Sequence, residues 1–244
     1  MWLQPNDKLP LETECLFGEK VNILDVNGEW FFCELLTDNY RGWIKSNALD
    51  ILGKPNYRVV SQRSFIFSEA NIKSFCISYL PLGSKLCVKK INKKWAQIKL
   101  SKKHPCKYGY VRLSNIIKMG NIIKDWVSIA ELLINTPYKW GGRDSVGIDC
   151  SALVQLSYEA YGQKISRNTT DQIKINLPLI DSSKKLKRGY VVYWEGHVGI
   201  MVDELNCIHA NAFHMKTVIE PLTDICNRFG KNLKIKKIIN FNKV

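Results

Sequence analysis

The sequence predicts an α+β protein in which small β-barrels precede a mixed domain. In residues 11 to 52, short β-prone runs alternate with turn residues, and Asn27-Gly28 between two such runs is a strong hairpin signal. A looser version of this pattern returns about 65 residues later, as expected of a tandem repeat. Beyond residue 121 a helical periodicity comes first and a series of strands follows, an order typical of α+β domains.

The predicted domains are residues 1–53, 54–120 and 121–244, with Gly53-Lys54-Pro55 as the first linker. In the second domain Trp95 corresponds to Trp30 of the first, and Tyr108-Gly109-Tyr110-Val111 corresponds to Arg41-Gly42-Trp43-Ile44. Strands are expected in the first barrel at Thr13 to Phe17, Lys20 to Val26, Trp30 to Leu36 and Trp43-Ile44, and in the second at Tyr57 to Val60 and Ser64 to Phe67.

The third domain is predicted to begin with a helix from Asp125 to Ile134, which ends before Pro137. A second helix is predicted from Ser151 to Tyr161, because apolar residues recur there at intervals of three and four and Asp149 can serve as the N-cap. Five strands are then expected at Tyr190 to Trp194, His197 to Val202, Cys207 to Asn211, Lys216 to Glu220 and Lys234 to Ile239.

The composition limits the classes of partner. A net charge of +14 suits an acidic partner, but the lysines are dispersed and no zinc-finger or glycine-rich phosphate motif accompanies them, so we expect no nucleic-acid binding. No apolar run approaches the length of about 18 residues that suggests a membrane-spanning helix. The chain opens without a basic region followed by an apolar run, so we expect a cytoplasmic protein that does not bind membranes. The sequence leaves the oligomeric state open.

Cys150 differs from the other seven cysteines. None of the eight forms a C-x-x-C pair, and without an export signal most are expected to be reduced and buried. Cys150 instead follows a glycine-rich loop and stands at the predicted start of a helix. Unpaired N–H groups and the helix dipole favour a thiolate there, with an expected pKa of roughly 3.5–7.5. A thiolate is the nucleophilic form of cysteine.

Three of the four histidines, His197, His209 and His214, lie close together in the sequence. A general base must reach the thiol and be held by a third polar group. His197 opens one predicted strand, and His209 lies in the next strand of an antiparallel hairpin. Both positions are odd-numbered, so an odd-length connection such as Asp203-Glu204-Leu205 predicts that both imidazoles share one face, whereas a two- or four-residue loop would separate them. His214 is expected to be an ordinary hydrogen-bonded residue.

Five motifs surround these residues: Tyr138-x-Trp140-Gly141-Gly142, Gly147-Ile148-Asp149-Cys150-Ser151, Arg167-x-x-x-Asp171-Gln172, His197-Val198-Gly199-Ile200 and Ile208-His209-Ala210. In order and spacing they resemble the NlpC family of papain-like cysteine peptidases, over about residues 122 to 215. Leu16-Phe17-Gly18-Glu19-Lys20-Val21 with Gly42-Trp43-Ile44, and a weaker second copy, resemble bacterial SH3-like domains. The whole chain resembles bacterial γ-D-glutamyl-L-diamino-acid peptidases of the dipeptidyl-peptidase VI type.

The resemblance implies a papain-like domain behind two SH3-like barrels. It implies hydrolysis of the γ-D-glutamyl-L-diamino-acid bond in peptidoglycan stem peptides with a free N-terminal L-alanine, in cell-wall peptide recycling. The implied partner is thus a peptidoglycan-derived peptide, and no cofactor or metal is expected. Cys150 is the implied nucleophile, His197 the general base and then acid, and His209 the orienting third member.

The resemblance also implies the substrate contacts. Asp149 and Ser151 would hold the free amine of the substrate, and a carboxylate beside a cationic amine makes a hydrogen bond about twice as strong as a neutral one. The backbone N–H of Cys150 would donate to the oxyanion, an interaction typically worth ~3 kcal/mol, with Tyr138 as a second donor. Together with Tyr138, the residues Trp140 and Thr169 would line the groove. Less specific interpretations remain open, with Asp149 as a mere N-cap, Trp140 as a core ring and Thr169 as a turn residue.

Three residues depart from the family pattern. Ala152 stands where the family usually has Gly, Ser166 replaces the usual Pro before Arg167, and Tyr190 replaces the usual Asp before the histidine strand. Tyr190 puts the start of that strand and the acidic contacts near it in question. None of the three removes a member of the triad.

Other functions share parts of this pattern. An exported hydrolase of intact peptidoglycan would use the same triad with the barrels as wall anchors, and an acyltransferase would need only a different acceptor. A zinc site from Cys207, His209 and His197 lacks the usual ligand spacing. A pure binding module would leave Asp149-Cys150-Ser151 unexplained.

Overall fold

The computed structural model describes residues 1–181, 184–228 and 234–242. It contains two compact units, residues 1–122 and residues 123–244. Over the described ranges, no helix is long and apolar enough to cross a membrane.

The first unit begins with a three-stranded antiparallel sheet of order β1-β2-β3. Its strands are β1 Val21–Asn27, β2 Trp30–Leu35 and β3 Arg41–Lys45. Asn27 pairs with Trp30 across a turn in which Gly28 has a φ of 57°, so the predicted hairpin is confirmed.

The strand predicted at Thr13 to Phe17 is wrong, because that segment is irregular. The Glu19 carboxylate accepts hydrogen bonds from the Leu16 N–H (2.8 Å) and from the Thr37 hydroxyl (3.0 Å). The Glu19 side chain thus accepts a backbone N–H that would otherwise be available to pair with a neighbouring strand.

Residues 57–118 contain the other two sheets of this unit, of orders β6-β5-β10-β9-β8 and β11-β4-β7. A core with Leu86, Ile98 and Val111 at its centre holds them together. The strands are β4 Tyr57–Val59, β5 Arg63–Phe67, β6 Cys76–Pro81, β7 Lys85–Leu86, β8 Val88–Asn92, β9 Trp95–Lys99, β10 Tyr108–Arg112 and β11 Ile116–Lys118. The strands expected near Tyr57 and Ser64 are confirmed, whereas the division into two barrels at residue 54 stays a prediction.

The second unit is an α+β domain, with a five-stranded antiparallel sheet of order β17-β16-β15-β14-β18 and a small hairpin of β12 and β13. Its strands are β12 Arg143–Asp144, β13 Gly147–Ile148, β14 Tyr190–Trp194, β15 His197–Met201, β16 Asn206–Asn211, β17 Lys216–Pro221 and β18 Lys237–Asn240. Its helices are α1 Val127–Glu131, α2 Cys150–Ala160, α3 Thr169–Gln172 and α4 Leu222–Arg228. The α1 helix is shorter than predicted, and the sequence analysis missed α4.

Helix α2 lies inside this unit, where it packs against α1, β15 and β16. Ten of its residues are buried, and only Glu159 is partly exposed. A helix surrounded in this way is held by packing on all sides rather than by one apolar stripe. The N-terminus of α2, with Cys150 as its first residue, is therefore held firmly against the sheet.

The register between β15 and β16 places Ile200 opposite Ile208 and Met201 opposite Cys207. The Val202 N–H donates to the Asn206 carbonyl at 2.9 Å, which leaves residues 203–205 as a three-residue connection. The predicted odd-length connection is thus confirmed, and odd-numbered residues of the two strands share a face.

Gly199 makes room for this register. A Cβ atom at this position would lie 2.4 Å from the Cys207 Sγ and 3.4 Å from the His209 Cβ. The first distance is well below van der Waals contact, so a side chain at position 199 would push these neighbours apart.

Candidate active site

The Cys150 thiol lies between α2, β15 and α3. The backbone N–H of Val198 and the hydroxyl of Thr169 lie close enough to its sulfur to lower the pKa of the thiol. Val198 directly follows His197, so the sulfur lies beside the start of the strand that carries the predicted base. Thr169 is therefore more than a turn residue, because its hydroxyl lies near the nucleophile.

The two predicted catalytic histidines are in direct contact. The Nε2 atom of His197 lies 2.8 Å from Nδ1 of His209, and the ring planes meet at 67°. The buried indole of Trp194 packs beside the His197 ring at a centroid distance of 5.6 Å. His209 is completely buried. These contacts fix the orientation of both imidazoles.

An acidic residue extends this chain of contacts. The Nε2 atom of His209 lies 2.7 Å from Oε1 of Glu220 on β17. Arg228, the last residue of α4, donates to Glu220 through both terminal nitrogens, at 2.8 Å to Oε1 and through a second bond to Oε2. His214 lies outside the pair of catalytic histidines, with Nε2 at 3.3 Å from the same Oε1.

Sequence reasoning missed Glu220 and Arg228. Glu220 closes the predicted strand Lys216 to Glu220, so an acidic residue one strand away from His209 was a usable signal. In the structure it pairs with Cys207, two residues before His209. Arg228 lies on the helix that the sequence analysis did not predict, so no local signal pointed to it.

The resting site favours a neutral thiol and a neutral imidazole. Burial, and then the Asp149 carboxylate, raise the pKa of Cys150 to about 11. Burial, and then His209, lower the pKa of His197 to about 3. The raised pKa goes against the thiolate expected from the helix N-terminus, because burial of the sulfur, and then the charge of Asp149, favours the neutral thiol.

Asp149 is saturated with hydrogen bonds. Its Oδ1 accepts from Ala152 N (2.8 Å), Ser151 Oγ (3.0 Å) and Arg167 Nη1 (3.0 Å), while Oδ2 accepts from Gly141 N (3.0 Å) and Arg167 Nη2 (2.6 Å). It is therefore the predicted N-cap of α2 and also the partner of a buried guanidinium.

Arg167 also binds Ser151, because its Nη1 donates to the hydroxyl at 2.7 Å. Asp149 and Ser151, both implied to hold the substrate amine, thus already share one cation. Gln172 fixes the same corner by donating to the carbonyls of Ser151 and Ser166, each at 2.9 Å. The motif from Arg167 to Gln172 therefore supports the residues on either side of the nucleophile.

Tyr138 lies on the other side of the thiol. Burial, followed by the charges of Cys150 and Asp149, raises the pKa of Tyr138 to about 12, so its hydroxyl keeps its proton at neutral pH. Its backbone bridges to Ile148, which directly precedes Asp149. Trp140, on the same loop, is 65% exposed, so the interpretation as a core ring is wrong.

Two glycines allow the tight loop between Tyr138 and Cys150. Gly141 has a φ of 71° and directs its N–H to Asp149. A Cβ on Gly142 would lie 2.3 Å from the carbonyl oxygen of Gly147. Larger residues at these two positions would move the loop away from the nucleophile.

The departures from the family pattern fit the packing. Ala152 is fully buried in the first turn of α2, and Tyr190 packs in the apolar core with Val192 and Trp194 at the start of β14. The strand before the histidine is therefore in place without the usual Asp. The structure contains no group of three or more His, Cys, Asp or Glu residues that could hold a metal ion within residues 1–181, 184–228 and 234–242.

Comparison with known proteins agrees with this geometry. Residues 135–226 match the NlpC/P60 family, and residues 4–49 match the bacterial dipeptidyl-peptidase Sh3 domain. The chain is 26% identical over 226 residues to the gamma-D-glutamyl-L-lysine dipeptidyl-peptidase of Bacillus subtilis, covering 82% of this chain and 72% of that protein. It is 24% identical over 235 residues to dipeptidyl-peptidase 6 of Lysinibacillus sphaericus, covering 86% and 84%.

A solved structure shares the fold. The crystal structure of an NlpC/P60 family protein from Bacillus cereus superposes with a TM-score of 0.78 at 18% identity, covering 94% of this chain and 82% of that one. An SH3-like β-rich region followed by a papain-like domain is thus the architecture of both.

Proposed function

Because this chain is a cysteine peptidase of the NlpC/P60 family, we propose that it hydrolyses the γ-D-glutamyl-L-diamino-acid bond of peptidoglycan stem peptides with a free N-terminal L-alanine. The observation that carries the proposal is the 2.8 Å contact between His197 and His209, with the N–H of the adjacent Val198 near the Cys150 sulfur. The names of two relatives, each a gamma-D-glutamyl-L-lysine dipeptidyl-peptidase, support the substrate class.

The proposed reaction proceeds in two balanced steps. The Cys150 proton passes to His197 as the sulfur attacks the γ-glutamyl carbonyl, and the Cys150 N–H and Tyr138 hydroxyl donate to the oxyanion. His197 then gives the proton to the departing amine, which leaves as the diamino acid. Water next attacks the thioester, its proton passes through His197 to the sulfur, and L-alanyl-D-glutamate is released with a free γ-carboxylate.

We assign recognition of the substrate amine to the corner of Asp149, Ser151 and Tyr138, with Trp140 and Thr169 along the groove. Arg167 already balances the charge of Asp149. The ion pair with Arg167 weakens the attraction of Asp149 for the substrate amine. The amine should therefore contribute less binding free energy than it would beside an unpaired carboxylate.

The decisive experiment uses L-alanyl-γ-D-glutamyl-diaminopimelate and its lysine counterpart, with product masses as the readout. Release of the free diamino acid by the native protein and not by Cys150→Ala is the expected result. Cys76→Ala is the matched control, because Cys76 is an exposed cysteine of the first unit. Intact peptide after incubation with well-folded native protein would refute the proposed function.

Acetylating the alanine amine of the same peptide tests the recognition corner without disturbing the protein. We expect kcat/KM to fall at least tenfold, by loss of one charge-assisted contact worth roughly 1.5–3 kcal/mol. Equal rates with free and acetylated peptide would remove Asp149 from substrate recognition.

A second candidate with the same triad is an exported hydrolase of intact peptidoglycan, in which the SH3-like region at residues 4–49 would anchor the enzyme to the wall. Purified cell walls distinguish the two, because a recycling enzyme of the cytoplasm should leave them intact and cleave only released peptides. Adding a free amine acceptor tests acyl transfer, since a transferase would yield a γ-glutamyl adduct in place of free L-alanyl-D-glutamate.

A further inference from the structure

The net positive charge of the chain arises in one part of it. Residues 54–120 contain fifteen lysine and arginine residues and a single acidic residue, Glu69, which accounts for the whole net charge of +14. The rest of the chain is balanced, with 21 basic and 21 acidic residues. Lysines that look dispersed along the sequence are therefore concentrated in the part of the fold that contains β4 to β11.

The connection between β5 and β6 presents two large apolar side chains to solvent. Ile72 is 67% exposed and Phe75 is 75% exposed. Hydrogen bonds within the connection hold them there, because the Ser68 N–H donates to the Phe75 carbonyl at 2.9 Å and the Ser74 hydroxyl donates to the Asn71 carbonyl at 2.7 Å. Exposed apolar surface of this kind commonly marks a binding site.

The apolar tip, residues 68–75, lies at the same end of its sheet as the loop between β9 and β10. Tyr110 on β10 pairs with Phe67, the last residue of β5, so β10 begins at the end of the sheet where β5 turns into the tip. Lys99 pairs with Tyr108, the first residue of β10, so β9 ends there as well. The loop therefore leaves the sheet beside the tip.

Lysines outnumber acidic residues at this end of the sheet. Lys73 in the tip and Lys102 and Lys107 in the loop are exposed, and none of the three forms an ion pair with any residue that the structure describes. Two acidic residues lie nearby. Glu69 is part of the tip, and Asp50 accepts the Lys102 N–H at 2.5 Å. The end thus combines exposed apolar side chains with a surplus of positive charge.

We propose that the apolar tip and the loop between β9 and β10 dock on an anionic phospholipid surface. Ile72 and Phe75 enter the layer below the headgroups, while Lys73, Lys102 and Lys107 lie against the phosphates. Apolar side chains flanked by lysines bind such surfaces through both area burial and charge. A soluble polyanion would complement the lysines but would leave the two apolar side chains in water, so the combination favours a lipid surface.

The sequence analysis expected no membrane binding, because the chain has no apolar run of spanning length and does not open with a basic region before an apolar run. Peripheral binding requires neither feature, since only a few side chains enter the headgroup layer. The docking surface lies in the first unit, and its existence does not depend on the proposed peptidase function.

Sedimentation of the full chain with lipid vesicles tests the proposal. We expect the native protein to sediment with vesicles of phosphatidylglycerol and phosphatidylcholine in equal parts, and to remain in solution with phosphatidylcholine alone. Salt at about 1 M should weaken the binding, because it shortens the screening length to about 3 Å. A native protein that stays in solution with the anionic vesicles would overturn the proposal.

Replacing the apolar side chains of the tip tests insertion. Ile72→Ser and Phe75→Ser should each lower the affinity for the anionic vesicles by at least about tenfold, because less apolar area leaves water on binding. Ile91→Ser is the matched control, since Ile91 is an exposed isoleucine on β8 of the same sheet and should not reach the lipid. Native affinity in both tip variants would contradict insertion and overturn the proposal.

Replacing lysines in pairs tests the orientation. Lys73→Gln/Lys107→Gln should lower the affinity by about fivefold for each lysine. Lys93→Gln/Lys94→Gln removes the same charge from the turn between β8 and β9, at the opposite end of the sheet, and should cost much less. Equal losses in the two variants would mean that the whole basic surface attracts lipid, and the assignment to this end would be wrong.

A fluorophore on Cys76 distinguishes lipid from a soluble polyanion. Cys76 directly follows Phe75 and is the one exposed cysteine of the chain. Its emission should move to shorter wavelength with the anionic vesicles and stay unchanged with polyphosphate of the same total charge. An equal shift with polyphosphate would overturn lipid docking. A protein that binds the vesicles as expected but cleaves no peptide would refute the proposed function alone.

Discussion

Arg167 and Asp149 form a buried ion pair immediately before the nucleophile, with the shortest contact of 2.6 Å between Nη2 and Oδ2. Burial of the sulfur, and after it the charge of Asp149, raises the pKa of Cys150 and disfavours a thiolate at the start of α2. Asp149 accepts the Ala152 N–H at the helix terminus and brings a negative charge close to the sulfur. Arg167 acts in the opposite direction and lowers the pKa of the thiol, but by less than burial and Asp149 raise it.

Replacing Arg167 by Met should strongly destabilise the second unit. The Asp149 carboxylate would be left buried without its cation, and breaking a buried pair in this way typically costs about 3–5 kcal/mol. Urea unfolding measures the free energy directly. Lys174→Gln is the control, because it breaks an exposed pair with Asp171 and should cost less than about 1 kcal/mol. Similar losses in both variants would contradict the role of burial.

Alkylation of Cys150 should depend steeply on pH. With its pKa raised to about 11, the thiol should react slowly with iodoacetamide at pH 7, and the rate should keep rising through pH 9 and 10. Peptide mass mapping separates Cys150 from the other seven cysteines. A rate that is already maximal at pH 7 would show a stable thiolate–imidazolium pair instead. His197→Ala should slow the labelling further at neutral pH, because no base remains to take the proton.

The protein should lose stability in acid over a defined window. An unfolded histidine titrates near 6.5, whereas burial lowers the pKa of His197 to about 3 in the folded state. Between these values the unfolded state binds more protons, so the free energy of unfolding falls as the pH falls, by up to about 1.4 kcal/mol per pH unit for one such group. Urea unfolding at pH 7.5, 6 and 4.5 measures the slope, and His197→Asn should reduce it. An equal slope in that variant would assign the acid lability to other groups.

Gly199→Ala should destabilise the second unit and lower activity together. The new methyl group would meet the Cys207 Sγ, and overpacking of this kind costs about 1–3 kcal/mol. The strain should also shift His209, whose Cβ lies on the same side. In the double variant Gly199→Ala/Cys207→Ala the clash is removed. Its loss of unfolding free energy should therefore be smaller than the sum of the losses in the two single variants. Strict additivity would show that the two positions do not compete for space.

Several features of the site were predictable because they are local. The α2 periodicity, the N-cap at Asp149 and the odd-length connection between the histidine strands depend on residues close in sequence. The same holds for the order of the motifs around Cys150, His197 and His209. A sequence therefore suffices to indicate a nucleophile at a helix start facing two histidines from neighbouring strands.

By itself, the sequence determined the α+β class, the positions of most strands in the second unit and the residues assigned to the triad. Only the tertiary structure decided the charge state of the thiol, the pairing of Asp149 with Arg167 and the connection of His209 to Glu220 and Arg228. The reason is physical, because a pKa depends on burial and on every charge within a few ångströms. Those charges come from segments distant in sequence, so local sequence patterns do not show which of them lie together in the fold.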